Sequence, residues 1–256
     1  MPSLQEKATA FHNLHKKGDP LVLYNIWDPG TAKVAASAGA PAIATGSWSV
    51  AEAFGFPDGE KLPRDLAMGN INRICNSVEI PVSLDLEAGY GATPEQVAQS
   101  VTLAGQNGAV GINFEDQIID GEGLYGIEDQ TARVAAARKA SDALDVPIFI
   151  NARTDIFLKA TPSDDKSKLL EEVIKRGQAY ADAGADGFFV PALTDADLIS
   201  ELCEKCVLPV NIMMMAGCPS INELGNLGVA RISHGPGPYR AAMAMIEKDC
   251  SALYGN

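Results

Sequence analysis

Positive charge is scarce in this chain. Its 256 residues carry 20 Lys and Arg against 33 Asp and Glu, for a net charge of −13. A surface so short of cations, with no Lys/Arg run, repels phosphate backbones and anionic headgroups, so neither nucleic acid nor membrane is an expected partner. Long apolar runs are missing too. None approaches the ~18 residues needed to span a bilayer, and the opening MPSLQEKATAFHNLHKKGD lacks the apolar stretch of a secretory signal. Cysteine is sparse and odd in number, five in all, single except for Cys203 and Cys206 in ELCEKC. That usage predicts reduced thiols and a cytoplasmic protein. With no second pair and no nearby His, Cys203 and Cys206 read as helix packing rather than a zinc site. Of the three His, His12 and His15 read as surface residues of a first helix, and His234 stands alone in SHGPGPYR.

What is present is a repeated alternation. Short β-rich runs bounded by Pro, Gly or Asp occur at 21–26, 41–46, 81–87, 109–115, 147–153, 186–191, 208–214 and 229–235. Between them lie helical patterns at 31–38, 129–144 and 164–183, and Thr93-Pro94-Glu95 has the chemistry of a helix start. SAGAPAI, QNGAVGI and DAGADGF each end a helix with a Gly suited to the left-handed position before a strand. Strand then helix, repeated eight times over ~250 residues, predicts a single-domain (β/α)8 TIM-type barrel covering 1–256. Residues 1–20 would hold an N-terminal helix, and the apolar 238–256 a C-terminal helix suited to a subunit interface. A doubly wound sheet lacks support, because no Gly-rich dinucleotide fingerprint follows the first strand. No Lys stands at a strand end, which argues against a Schiff-base aldolase. Gly235-Pro236-Gly237 before the last helix leaves a sugar-phosphate barrel open as an alternative.

In such a barrel the chemistry gathers at the carboxyl ends of the strands. Strand alternation sends Asp85 and Glu87 of SLDLEAGYG the same way, as it does Asn113 with Glu115 and Asn151 with Arg153. Asp85, Glu87 and Glu115 would then meet at the mouth, where they repel one another unless a cation lies between them. An all-oxygen donor set favours Mg²⁺, or Mn²⁺, over Zn²⁺. The alternative is that these acids cap helices or pair with Arg153, the one Arg at a strand end. Arg153 offers a planar fork for a carboxylate or phosphonate. Thr45, Gly46 and Ser47 close the second strand in a small-residue turn whose N–H groups could hold an anionic oxygen.

Taken in order, TGSWSVAEAFGFPDGE, SLDLEAGYG, INFEDQ, INARTD and ADAGADGFFVP resemble the isocitrate lyase/phosphoenolpyruvate mutase superfamily from about Tyr24 to Arg240. The resemblance implies a barrel whose last helix swaps between subunits, in a homo-oligomer built as a dimer of dimers. It implies Mg²⁺ and a small α-oxo acid substrate whose C–C or P–C bond is cleaved through a pyruvate enolate. By position, Asp85 resembles the acid touching the metal directly, and Glu87 and Glu115 those holding it largely through water. Asp58 of GFPDGE matches a catalytic acid near the reacting carbon, and Gly46 and Ser47 match the backbone site for the substrate carboxylate. Arg153 matches the anion-binding arginine, and Asn211 a substrate-facing Asn. The loop Gln117–Gly126 departs from the family: it has neither the Cys of the lyases nor the Lys and Asn of the mutases. Oxaloacetate decarboxylation or hydrolysis, which needs no loop acid, is then the expected reaction. Methylisocitrate cleavage, phosphonopyruvate hydrolysis and non-catalytic α-oxo acid binding are the alternatives. Glu122, Tyr125 and His234 are candidate proton donors, and Trp48, Tyr90, Leu124 and Met213 to Met215 candidate selectors of the substrate's far group.

Overall fold

The computed structural model describes residues 2–255. Eight strands form in the eight apolar runs, each trimmed at its ends: β1 (Leu21–Leu23), β2 (Ile43–Ala44), β3 (Val82–Asp85), β4 (Gly111–Glu115), β5 (Phe149–Arg153), β6 (Gly187–Val190), β7 (Val210–Met213) and β8 (Arg231–Ser233). All pair in parallel, in the order β1-β8-β7-β6-β5-β4-β3-β2. The remaining seam closes just past β1, where Ile26 pairs with Thr45. Ile26 N–H donates to Ala44 O at 2.9 Å, and Gly46 N–H to Ile26 O at 3.2 Å. Asn25 stitches the same seam, giving its Nδ2 to Thr45 O and accepting the His234 and Gly235 N–H groups on Oδ1. The result is the (β/α)8 barrel, not an open sheet.

The helices are α1 (Leu4–Asn13), α2 (Pro29–Ser37), α3 (Ser47–Phe54), α4 (Arg64–Cys75), α5 (Pro94–Gln106), α6 (Ile127–Ala143), α7 (Lys166–Asp182), α8 (Ala196–Lys205), α9 (Ile221–Asn226) and α10 (Gly237–Tyr254). Local chemistry starts them: Asp28 caps α2, and Thr93 forms a reciprocal box with Gln96 on α5. Gly39, Gly108 and Gly184 take φ of 95°, 96° and 98° where α2, α5 and α7 hand over to strands. Cys203 is buried in α8 with its thiol pushed up to about 12 by burial, and Cys206 ends the helix, as packing residues do. No described helix is long and apolar enough to cross a membrane. Met1 and Asn256, the ends of the span assigned from sequence, lie outside the described residues.

Alternation sorts the apolar side chains into two layers. Leu84, Ile112, Phe114, Ile150, Phe188, Ile212 and Ile232 face outward against the helices. Leu21, Leu23, Ala42, Ala44 and Phe149 face inward and, with Val110 just before β4, cluster with Ala8 and Phe11 of α1, which plugs the N-terminal end. A side chain at Gly111 would put its Cβ 2.5 Å from the Phe11 ring, so Phe11 reaches the axis because that strand position is glycine. The surface placement expected for His12 and His15 is corrected here. His15 stacks on Phe149 at 3.9 Å and His12 bonds Pro147 O at 2.9 Å, so both belong to the plug. Burial, with Arg231 nearby, holds the His15 imidazole neutral and lowers its pKa to about 3.

Candidate active site

Above the plug the barrel interior turns polar. Arg231 points inward from β8, buried, and donates from Nη2 to Asn113 Oδ1 at 3.1 Å. Asn151 Nδ2 donates to the same oxygen at 2.9 Å, which leaves the Asn113 amide nitrogen directed at Asp85 Oδ1, 3.4 Å away. Over this layer, at the C-terminal ends of the strands, opens a cavity of about 170 Å³. Its wall includes Asn25, Gly46, Ser47, Trp48, Ser49, Asp58, Asp85, Asn113 and Arg153, and on the opposite side Leu158, Phe189 and Met213.

Asp85 is the last residue of β3. Its N–H donates to Thr45 Oγ1 at 2.9 Å, and its Oδ2 accepts the Ser47 N–H at 2.8 Å. Glu87 lies beyond the strand with φ 54°, so alternation alone does not set its direction. Two neighbours do: Glu60 N–H donates to Oε2 at 2.6 Å and Tyr90 OH to Oε1 at 3.2 Å. Tyr90 N–H in turn donates to Glu60 Oε1 at 2.6 Å, and Glu60 and Tyr90 also take positive φ. The Asp58–Glu60 loop and the Glu87–Tyr90 loop thus lock together through carboxylate–amide bonds. Burial, followed by the charges of Asp58, Asp85 and Glu60, pushes the Glu87 carboxyl up to about 7. Asp58 is raised by burial and by Asp85. Glu115, inward at the end of β4, is raised well above the carboxylate range by burial against the opposing pull of Arg153, whose Nη1 stands 2.8 Å from Oε2.

Of the three candidate metal acids only Glu115 pairs with Arg153, which also binds Asp155. Asp155 takes its Nε at 2.6 Å and its Nη2 at 3.0 Å, in addition to the Glu115 contact. Three of the five guanidinium N–H groups are engaged, so two are spare. Asp155 is held in turn: its N–H donates to Asp116 Oδ1, while Arg176 and Tyr180 donate to Asp116 Oδ2 at 3.0 and 2.9 Å. Sequence reasoning missed this buried support, and missed Glu60. The one signal for Glu60 was an acid two residues past Asp58 in a loop with two glycines.

The turn expected to seat an anion, Thr45, Gly46 and Ser47, has its groups engaged within the protein. Thr45 shares the outward parity of Ile43 and spends its hydroxyl on Asp85, while the Gly46 and Ser47 N–H groups are taken by Ile26 O and Asp85. No side chain caps α3, and the next N–H groups belong to Trp48 and Ser49, both on the cavity wall. The Ser49 hydroxyl is fully buried and has no hydrogen-bond partner among the described residues. That is a donor set waiting for an anion.

Two expected site residues stand apart. Asn211 is inward on β7, in register with Phe189 of the wall, but its amide trades hydrogen bonds with the Ser233 hydroxyl at 3.2 and 3.3 Å and it does not line the cavity. His234 follows inward Ser233 and so turns outward. Its ring lies 5.4 Å from that of Tyr24, and it does not line the cavity. Glu122 and Tyr125 do not line it either.

The donor chemistry fits a hard cation. Burial first, and then the charge of Asp85, raises the carboxyls of Asp58, Glu87 and Glu115, and the one basic side chain on the described wall, Arg153, is already bound to two carboxylates. Among the described residues no three acids, thiols or imidazoles converge into a ready cage. Asp85 alone of the metal candidates lines the cavity, with Glu87 and Glu115 behind it. Such an arrangement suits Mg²⁺, which keeps several waters and takes few direct carboxylates.

The phosphoenolpyruvate phosphomutase family model matches residues 11–254. The chain belongs to that family. A crystal structure of a phosphonomutase candidate from Burkholderia cenocepacia J2315 superposes with a TM-score of 0.95, at 46% identity over 99% of this chain and 100% of that one. An uncharacterised Mycobacterium tuberculosis protein is 35% identical over 91% of this chain and 84% of its own length. The oxaloacetate decarboxylase of Pseudomonas entomophila is 27% identical over 91% of this chain and 80% of its own. The chain is an enzyme of the isocitrate lyase/phosphoenolpyruvate mutase superfamily, and the cavity described above lies where barrels place their chemistry.

Proposed function

We propose that residues 1–256 act as one catalytic domain, a Mg²⁺-dependent lyase or hydrolase that cleaves a C–C or P–C bond in a small α-oxo acid through a pyruvate enolate. The observation that carries this reading is an anion seat beside an excess of carboxylates. The spare N–H groups of Trp48 and Ser49, with the unpartnered Ser49 hydroxyl, offer to bind a carboxylate. Yet Asp58 and Asp85 on the same wall would repel it unless a cation intervened. When bound, Mg²⁺ supplies that cation and polarises the oxo group as a Lewis acid.

The protein's own groups do the rest. Asp85, oriented by Asn113 and the Ser47 N–H, would be the direct ligand, with Glu87 and Glu115 ordering water around it. The two spare N–H groups of Arg153 bind anionic oxygen and stabilise charge that develops at the reacting centre. Asp58, its carboxyl raised by burial and by Asp85, suits the handling of a proton or water beside the scissile bond. With Glu122, Tyr125 and His234 away from the cavity, the proton that ends the reaction comes from water or Asp58. Among reactions needing no further acid, oxaloacetate decarboxylation or hydrolysis is the first to assay, and the relative named for it supports that choice. Release of pyruvate or oxalate from oxaloacetate, abolished by chelator and by Asp85→Ala, is the expected result. Full activity in either condition would end the metal reading. The absence of a dedicated acid on the described wall also favours a second reading, an α-oxo acid binder. Tight Mg²⁺-dependent oxalate binding without turnover of any α-oxo acid would decide for it.

We infer, further, a cytoplasmic homo-oligomer. Of α10 only Pro238 is buried, while Met245, Ile246, Leu253 and Tyr254 are exposed. Beside it an apolar groove is lined by Ile26, Val34, Ala35 and Met245. An exposed apolar helix next to an apolar groove suits exchange of α10 between subunits. A sedimentation mass of one chain would contradict it.

A further inference from the structure

Beneath the cavity lies a charge that no step proposed above uses. Arg231 enters from β8, fully buried, and crosses the bore to Asn113 on β4, the strand on the opposite side of the barrel. Burial pulls its pKa down to about 10, and Asp85 is the acid that opposes that pull, so the guanidinium stays cationic at neutral pH. On the plug side it meets no counter-charge: the Phe11 ring stands 6.0 Å away, and His15 is held neutral. Its Nε and Nη1 have no hydrogen-bond partner among the described residues. The one polar contact it makes there, from Nη2, leads to the rim.

That contact settles what an amide cannot settle for itself. Asn113 has a donor end and an acceptor end of nearly the same shape, and its neighbours decide which one faces Asp85. Asn151 is one such neighbour, at 2.9 Å, but it is an amide as well, and two amides can turn over together. Arg231 can only donate. Its Nη2, 3.1 Å from Asn113 Oδ1, keeps that oxygen down the bore and the nitrogen toward Asp85 Oδ1, 3.4 Å away. With the amide reversed, two oxygens would face each other and repel. The Ser47 N–H holds the other Asp85 oxygen at 2.8 Å, so the Asn113 contact completes the carboxylate's orientation.

We propose that Arg231 is a positioning residue for Asp85: by fixing the Asn113 amide, it fixes the orientation in which that carboxylate meets a divalent cation. This rests on the preceding reading of Asp85 as the direct ligand. Two other roles would leave different traces. A brace across the barrel would act on stability alone. A charge acting only through space would oppose a second cation at the rim, so its removal would tighten Mg²⁺ binding. Loss of positioning does the opposite and loosens it.

The test is calorimetric titration of Mg²⁺ into the metal-free full-length protein with oxalate present, for the wild type, Arg231→Met, Asn113→Ala and the double variant. Arg231→Met should weaken Mg²⁺ binding by about tenfold or more. In the double variant it should add no loss beyond that of Asn113→Ala, because the amide through which it acts is gone. Unchanged or tighter Mg²⁺ binding in Arg231→Met overturns the inference while leaving Asp85 as the ligand, even if the thermal midpoint falls. Losses that multiply in the double variant overturn it too. Failure of the wild type to bind Mg²⁺ removes the ligand reading and this inference with it. Where Arg231→Met does not fold, Arg231→Gln is read against the same outcomes, since it keeps an amide in the bore but not the donor-only head.

Discussion

The two ends of this barrel are built from the same strands and obey opposite electrostatics. At the N-terminal end, α1 seals the bore with Phe11 and Ala8, and His15 is held neutral against Phe149. At the C-terminal end, Asp58 and Asp85 line a small cavity with Glu87 and Glu115 behind them, and burial with the neighbouring acids pushes the Glu87 carboxyl up to about 7. A buried group that must stay uncharged serves the fold; a cluster of groups that resist charging together serves a ligand that relieves them. The contrast separates residues whose loss unfolds the protein from residues whose loss silences it.

The largest expected break is at the rim. Asp85→Ala should lower turnover by about 10³-fold or more, since it removes the carboxylate proposed as the direct ligand to the cation. Its thermal midpoint in chelator should stay at or above that of the wild type. At the plug the pattern reverses: Phe11→Ala should cost about 3–5 kcal/mol in denaturant unfolding, with Mg²⁺ affinity of the surviving folded protein unchanged. The pH dependences should oppose one another as well. The His15 pKa is lowered from 6.5 to about 3, so the unfolded chain binds more protons between those values. Its contribution, on the order of 4 kcal/mol, is present above pH 6.5 and lost as pH falls. The Glu87 carboxyl is raised from 4.5 to about 7, so the folded chain holds the extra proton. Metal-free stability should therefore fall by about 3 kcal/mol as pH rises through that window. Urea unfolding in chelator across pH 4 to 8 checks both signs, with His15→Leu flattening the acid limb and Glu87→Gln the other. The smallest effect is at Glu60. Glu60→Ala unlocks the Asp58 loop from Tyr90 and should reduce kcat about tenfold with little change in stability.

Much of this was legible in the sequence, and the losses have physical causes. Strand alternation is local and strictly periodic, so it located all eight strands and correctly sent Asp85, Asn113, Glu115 and Arg153 inward. It fails where the chain leaves the strand: Glu87, two residues past β3, turns on a left-handed backbone that no alternation rule contains, whereas His234, one step beyond inward Ser233, faces out as alternation requires. Partners were hidden too: Asn211 points inward as expected but spends its amide on Ser233 rather than lining the cavity, because side-chain pairing between strands is a tertiary property. The engagement of the Gly46 and Ser47 N–H groups by Ile26 O and Asp85 was hidden as well, because both acceptors come from other segments of the chain. Charge pairing between distant segments left the faintest trace. Nothing in the spacing of Asp116, Arg176 and Tyr180 announces that together they hold Asp155, and through it Arg153.

The rim's need for a cation is tested most directly by titrating Mg²⁺ into the metal-free protein in the presence of oxalate, by calorimetry, for the wild type and Asp85→Ala. One Mg²⁺ bound per chain in the wild type, and none in the variant, is the predicted result. Equal binding by both proteins, or by neither, would contradict it.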